Sequence, residues 1–148
     1  MKNYTIFTIG FTRKSAEQFF SMLINAGVRR VIDIRLNNIS QLAGFTKRDD
    51  LQYFLKSIGK IDYSHEPMLA PTQELLVAYK GKKSGWETYQ NDFRSLLDQR
   101  KPENYFHVDN IDLACLLCSE PGPDYCHRRL VAEYFQKKYN GLEIVHLQ

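Results

Sequence analysis

A strand, a helix and a second strand follow one another without interruption near the start of the chain, and this feature limits the fold most. The stretch YTIFTIG, residues 4–10, is β-branched and aromatic and lacks the polar alternation of a half-exposed strand. A helix is predicted over 16–26, between a capping box that begins at Ser15 and a terminating Gly27. VRRVIDI, residues 28–34, predicts the second strand. We therefore expect a right-handed βαβ unit with parallel strands.

The rest of the chain continues the alternation of helices and strands. A helix is predicted between an N-cap at Thr46 and Gly59, followed by a short strand over 61–65. TQELLVAYKG and GWETYQNDFRSLLDQR predict two helices joined by the basic stretch KGKKSG, and together they form a helical insertion. The last predicted elements are a buried strand over 113–119, a helix that starts near an Asp124 N-cap and stops at Gly141, and a strand over 142–147. The predicted fold class is α/β with a mainly parallel sheet.

Composition indicates one cytoplasmic domain with reduced thiols. A length of 148 residues with 43% hydrophobic residues suits a single domain with its own core. The N-terminus lacks the apolar core of a signal peptide, and no stretch is long enough to span a membrane. All three cysteines lie within 115–126, which argues against a secreted disulfide framework. The net charge of +3 permits an anionic ligand.

The polar and reactive residues of the sequence follow the predicted strands, at the edge where ligands bind in open α/β sheets. The positive end of the helix predicted after Asp124 points to the same edge, so we expect an anion to bind there. The candidate ligand-binding residues are Gly10, Thr12, Arg13, Arg35 and Arg128, and the candidate catalytic residues are Asp33, Cys118, Glu120, Cys126 and His127.

Each candidate has a role suited to its chemistry. Arg35 and Arg128 would hold the anion, because a guanidinium can bind phosphate or carboxylate through two hydrogen bonds. The proton would be moved by Glu120 or Asp33, and the nucleophile would be Cys118 or Cys126. Two structural alternatives stay open: Asp33 and Arg35 can pair with each other, and Cys126 can simply pack the turn.

The surroundings of Cys126 favour a reactive thiol. It is predicted in the first turn of a helix, beside His127 and Arg128, and positive surroundings of this kind lower the pKa of a thiol. Arg129, one residue further on, is instead predicted to pair with Glu133 on the helix surface.

A zinc site is a further alternative, because Cys115 and Cys118 form a C-x-x-C and Cys126 with His127 would complete four ligands. The spacing argues against it. Residues 115 and 118 point to opposite faces of a strand, whereas a structural zinc site needs its C-x-x-C on a tight turn. We therefore assign no metal ligand from the sequence.

Four short motifs occur in a fixed order along the chain: TIG after the first strand, DIR at the end of the second, then CSE and CHRRLVAEY. In this combination the sequence resembles the domain-of-unknown-function 488 family. The usual family stretch reads T-I-G-H-S, so that Phe11 stands in place of a histidine and Thr12 in place of a serine. The resemblance implies a small α/β domain in a Rossmann-like three-layer arrangement, but no reaction.

These observations lead to an enzyme hypothesis with two alternatives. We expect a hydrolase or transferase that acts on a phosphate-bearing or other anionic substrate, such as a nucleotide or nucleic acid, in one pocket at the carboxyl edge of the sheet. One alternative is a non-catalytic module that binds nucleic acid or a protein through KGKKSG. The other is a redox or sulfur-handling role for the thiols.

Overall fold

Helices and strands alternate along the chain in the computed structural model, which describes residues 3–37, 44–81, 85–118 and 126–148. The strands are β1 (Tyr4–Gly10), β2 (Arg30–Asp33), β3 (Asp62–His65), β4 (Ala114–Cys118) and β5 (Leu142–His146). The helices are α1 (Ala16–Ala26), α2 (Arg48–Phe54), α3 (Gln73–Lys80), α4 (Trp86–Arg100), α5 (Val108–Ile111) and α6 (His127–Lys138). Short 3-10 turns occupy Gly44–Thr46, Pro67–Leu69 and Pro102–Asn104, and a π-helical turn over Leu55–Gly59 extends α2.

The five strands of the described residues form one parallel sheet in the order β3-β2-β4-β1-β5. One face packs against α1 and α2, and the other packs against α4 and α6. The predicted α/β class, the parallel sheet and the three layers are therefore confirmed. Because helices cover both faces, β4 is buried along its whole length, with Leu116 in one cluster and Cys115 in the other.

The predicted boundaries of α1 are confirmed in detail. The Ser15 side chain accepts a hydrogen bond from the Gln18 amide, and the Gln18 side chain accepts one from the Ser15 amide. Gly27 ends the helix with φ 81°, a left-handed conformation that costs a glycine little. These two caps place α1 between β1 and β2 and so fix the first βαβ unit.

The N-cap predicted at Thr46 is wrong. α2 begins at Arg48, and its N-cap residue, Lys47, does not cap the helix through its side chain. Thr46 lies instead in the preceding 3-10 turn, where its backbone carbonyl accepts a hydrogen bond from Arg35. Thr46 therefore binds the buried Arg35 side chain through its backbone and does not cap a helix.

The last helix is shorter than predicted at both ends. α6 begins at His127, with Cys126 as its N-cap; Asp124, the predicted N-cap, lies outside the described residues. The helix ends at Lys138, before Gly141, because Tyr139 is extended and its hydroxyl donates a hydrogen bond to the Phe106 carbonyl. Gly141, with φ 80°, turns the chain into β5.

Candidate functional site

The strand order places a topological switch point at the carboxyl end of β4. β1 and β2 are followed by α1 and α2 on one face of the sheet, whereas β4, which lies between them, is followed by α6 on the other face. Connections that diverge from neighbouring strands leave the kind of crevice in which α/β proteins bind ligands. Cys118 is the last residue of β4 and lies beside Gly10, the last residue of β1.

His127 joins the Cys118 thiol to the backbone of the neighbouring strand. Its Nδ1 atom lies 3.7 Å from Cys118 Sγ, and its Nε2 atom lies 2.7 Å from the Ile34 carbonyl oxygen. Since a carbonyl only accepts, Nε2 carries the hydrogen, and this leaves Nδ1 to accept a proton from the thiol. A thiol, a base and a group that orients the base are the components of an activated cysteine.

His127 is held rigidly in this position. Its side chain is 8% exposed, and its ring packs edge-on against Phe93 with the centroids 5.6 Å apart. Burial lowers the pKa of His127, but the hydrogen bond and negative charge of Cys118 and the Ile34 carbonyl outweigh that effect and raise it. The surroundings therefore stabilise the imidazolium that forms when His127 takes a proton from Cys118.

Cys126 completes a buried group of possible ligands with the other two residues. Cys118 Sγ, Cys126 Sγ and a ring nitrogen of His127 all lie within 4.8 Å of one another. The lowered pKa expected for the Cys126 thiol is wrong. Burial and the nearby Cys118 raise it well above its ordinary value, and the opposing effect of Arg128 is smaller.

Arg128 brings a positive charge into the same region. Its side chain is fully buried in the first turn of α6, next to the positive end of the helix. Lys14 lies close enough that burial and the charge of Arg128 together lower the pKa of its ammonium group. Arg129 points elsewhere and pairs with Glu133 at 3.2 Å, as predicted.

Asp33 and Arg35 form a buried ion pair. The Nε and Nη2 atoms of Arg35 donate to the two carboxylate oxygens of Asp33 at 2.9 and 2.8 Å. The Tyr63 hydroxyl donates to the same carboxylate at 2.6 Å. The guanidinium also lies over the ring of Phe11, 5.4 Å from its centroid, so the aromatic residue at this position packs against the pair. Of the two roles left open by the sequence, the geometry shows the structural pairing.

The remaining candidates are only partly brought together. Thr12 and Arg13 line a hollow of about 440 Å³ beside α1, which Lys14 also borders. Arg13 has φ 65° in the turn after β1. Glu120 lies outside the described residues. The structure thus groups Gly10, Cys118, Cys126, His127 and Arg128 at one end of β4 and places Asp33 and Arg35 next to them, on either side of Ile34.

A larger groove, of about 730 Å³, runs along the outer edge of β3 and is bordered by Arg30, Tyr63 and Tyr105. No cysteine or histidine is among the described residues that line it. We therefore take the end of β4, and not this groove, as the candidate site.

Three contributors to the site could not be assigned from the sequence. The Ile34 carbonyl is a backbone group, and no side-chain pattern marks it. Lys14 follows β1 in the sequence, but its approach to Arg128 depends on how α6 packs against the sheet. Tyr63 stands in a strand of ordinary composition, and only the parallel pairing of β2 with β3 brings it near Asp33.

Comparison with known proteins identifies one family. A family model described as "Domain of unknown function DUF488" matches residues 15–135, which is most of the chain. The chain matches no curated protein and no solved structure. Among the described residues, no helix has the length and apolar composition that crossing a membrane requires.

Proposed function

We propose that this chain, which belongs to the domain-of-unknown-function 488 family, is an enzyme that acts on an anionic, phosphate-bearing substrate through the Cys118 thiol. The observation that carries the proposal is the Cys118–His127–Ile34 arrangement. It joins a thiol, an imidazole and a backbone carbonyl through consecutive contacts at the carboxyl end of β4.

His127 acts as the base in this proposal. It takes the Cys118 proton on Nδ1, and the resulting thiolate attacks the electrophilic centre of the substrate and forms a bond to it. The leaving group departs with its electron pair and receives the proton back from His127. The Nε2 hydrogen bond to Ile34 holds the ring in the required tautomer throughout.

Arg128 attracts the anionic part of the substrate. Its charge is buried, where the effective dielectric constant is lower than in water, and it lies beside the positive end of α6. Lys14 adds a second cation nearby. A nucleotide or a nucleic acid is the proposed source of the phosphate, in keeping with the net charge of +3.

Asp33 and Arg35 act as positioning residues. The Ile34 amide donates to the Leu117 carbonyl at 3.1 Å, and the Arg35 amide donates to the Asp33 side chain at 3.1 Å. These bonds fix the backbone on both sides of the carbonyl that orients His127. The pair therefore acts on the thiol through His127 and does not touch the substrate.

Inorganic phosphate is expected to protect Cys118 from alkylation by iodoacetamide, because it would occupy the place of the substrate phosphate beside Arg128. Site-resolved mass spectrometry measures the alkylation rate with phosphate and with chloride at equal ionic strength. We expect a severalfold slower rate with phosphate in the wild type and no protection in Arg128→Met. Equal rates with both salts in the wild type would count against the proposal.

The two alternative functions predict different results. A non-catalytic module that binds nucleic acid through residues 80–85 would show salt-dependent affinity that Cys118→Ser leaves unchanged. A thiol-based redox role is favoured by the short distance between the thiols of Cys118 and Cys126. It would require reversible disulfide formation between those two residues.

A further inference from the structure

We infer that Cys118, Cys126 and His127 form a binding site for a thiophilic divalent metal ion, of which Zn²⁺ is the representative. The inference concerns binding and goes beyond the proposed function. If the metal site and the proposed function are both correct, the metal binds the nucleophile and the base at the same time. Metal binding then inhibits the enzyme reversibly.

The distances between the three side chains suit a tetrahedral metal centre. With Zn–S near 2.3 Å and Zn–N near 2.0–2.1 Å, neighbouring sulfur and nitrogen ligands lie about 3.5 Å apart and two sulfurs about 3.8 Å apart. Cys118 Sγ and His127 Nδ1 are 3.7 Å apart, and all three ligand atoms lie within 4.8 Å. Small side-chain rotations therefore bring them around one ion.

The histidine has the orientation that metal sites require. A metal-bound imidazole usually donates its other N–H to a carbonyl or a carboxylate, which fixes the ring and makes the ligating nitrogen more basic. The Nε2 atom of His127 donates in this way to the Ile34 carbonyl at 2.7 Å, so Nδ1 faces the sulfurs.

The charge balance favours a divalent cation. Cys118 and Cys126 are both buried, so water screens little of the repulsion between two thiolates at this place. A divalent cation cancels two thiolate charges, and binding would release the thiol protons.

Cys115 supplies a control from the same strand. It lies three residues before Cys118, but its side chain is buried in the cluster under α1, on the opposite face of the sheet. The four-ligand site considered from the sequence therefore does not form. The three remaining ligands leave one position open, as in catalytic rather than structural zinc centres.

Titration of the reduced, chelator-treated full-length protein with Co²⁺ tests the inference. We expect one equivalent to bind and produce the intense visible bands of tetrahedral cobalt with sulfur-to-metal charge transfer, and Zn²⁺ to abolish them. Cys126→Ser and His127→Gln should each weaken binding at least about tenfold, whereas Cys115→Ala should bind as the wild type does. Absence of tetrahedral bands in the wild type, or equal binding by Cys126→Ser, would overturn the inference.

Alkylation of the metal-free protein separates this inference from the proposed function. Cobalt bands in a protein whose Cys118 resists iodoacetamide would support the metal site and contradict the enzyme. Rapid alkylation of Cys118 in a protein that shows no cobalt bands would support the enzyme and contradict the metal site. If both are correct, one equivalent of Zn²⁺ should block alkylation of Cys118, and a chelator should restore it.

Discussion

Asp33→Ala is expected to lower the free energy of unfolding by about 3–5 kcal/mol, the largest stability effect that we predict. The substitution removes the only carboxylate that pairs with Arg35 among the described residues, and it leaves a guanidinium whose side chain is 8% exposed. A buried charge without its partner costs far more than the loss of a surface ion pair, because water cannot replace the missing carboxylate. Urea denaturation measures the difference.

Asp62→Ala is the matched control for this experiment. It removes the carboxylate of another ion pair, with Lys56, in which both side chains are more than half exposed. Such a pair contributes at most about 1 kcal/mol. Tyr63→Phe, which removes one hydrogen bond to Asp33, should fall between the two variants. An Asp33→Ala protein as stable as Asp62→Ala would show that the buried pair does not hold this part of the fold together.

His127→Gln is expected to slow the alkylation of Cys118 about a hundredfold, the size of effect usual for the loss of a general base. The variant removes the imidazole that receives the thiol proton and whose positive charge stabilises the thiolate. The rate constant for iodoacetamide, measured at Cys118 by mass spectrometry near neutral pH, checks this expectation.

His65→Gln is the matched control for His127→Gln. His65 also donates through Nε2 to a backbone carbonyl, that of Arg35 at 2.8 Å, one residue beyond the carbonyl that His127 uses. Since His65 lies at the end of β3, which β2 separates from β4, its loss should change the rate less than twofold. A wild-type rate in His127→Gln, or the same decrease in both variants, would refute the role assigned to His127.

The sequence was sufficient to predict the elements that depend on local patterns. The Ser15 capping box and Gly27 fix the ends of α1, and the unbroken apolar run of β4 indicates a strand covered on both faces. Because parallel strands end at one edge, Cys118 and Arg128 could be assigned to one site from the sequence alone.

Properties that depend on burial could not be predicted in the same way. The pKa of Cys126 was expected to fall because of positive neighbours, but the depth of the site raises it. Arg35 was assigned to an anion, yet a carboxylate two residues earlier already accepts two of its hydrogen bonds. The first outcome depends on how deeply the packing of α6 buries Cys126. The second depends on the tertiary placement of the Arg35 side chain, which also donates to the Thr46 carbonyl.

The most direct test of a reactive Cys118 beside a buried cation compares two alkylating reagents of similar size, the anion iodoacetate and the neutral iodoacetamide. The ratio of their rate constants at Cys118 is expected to exceed the ratio measured for N-acetylcysteine by about tenfold, because Arg128 attracts the anion. Arg128→Met should return it to the N-acetylcysteine value. A wild-type ratio no higher than that of N-acetylcysteine, or a Cys118 that neither reagent modifies, would contradict the proposed site.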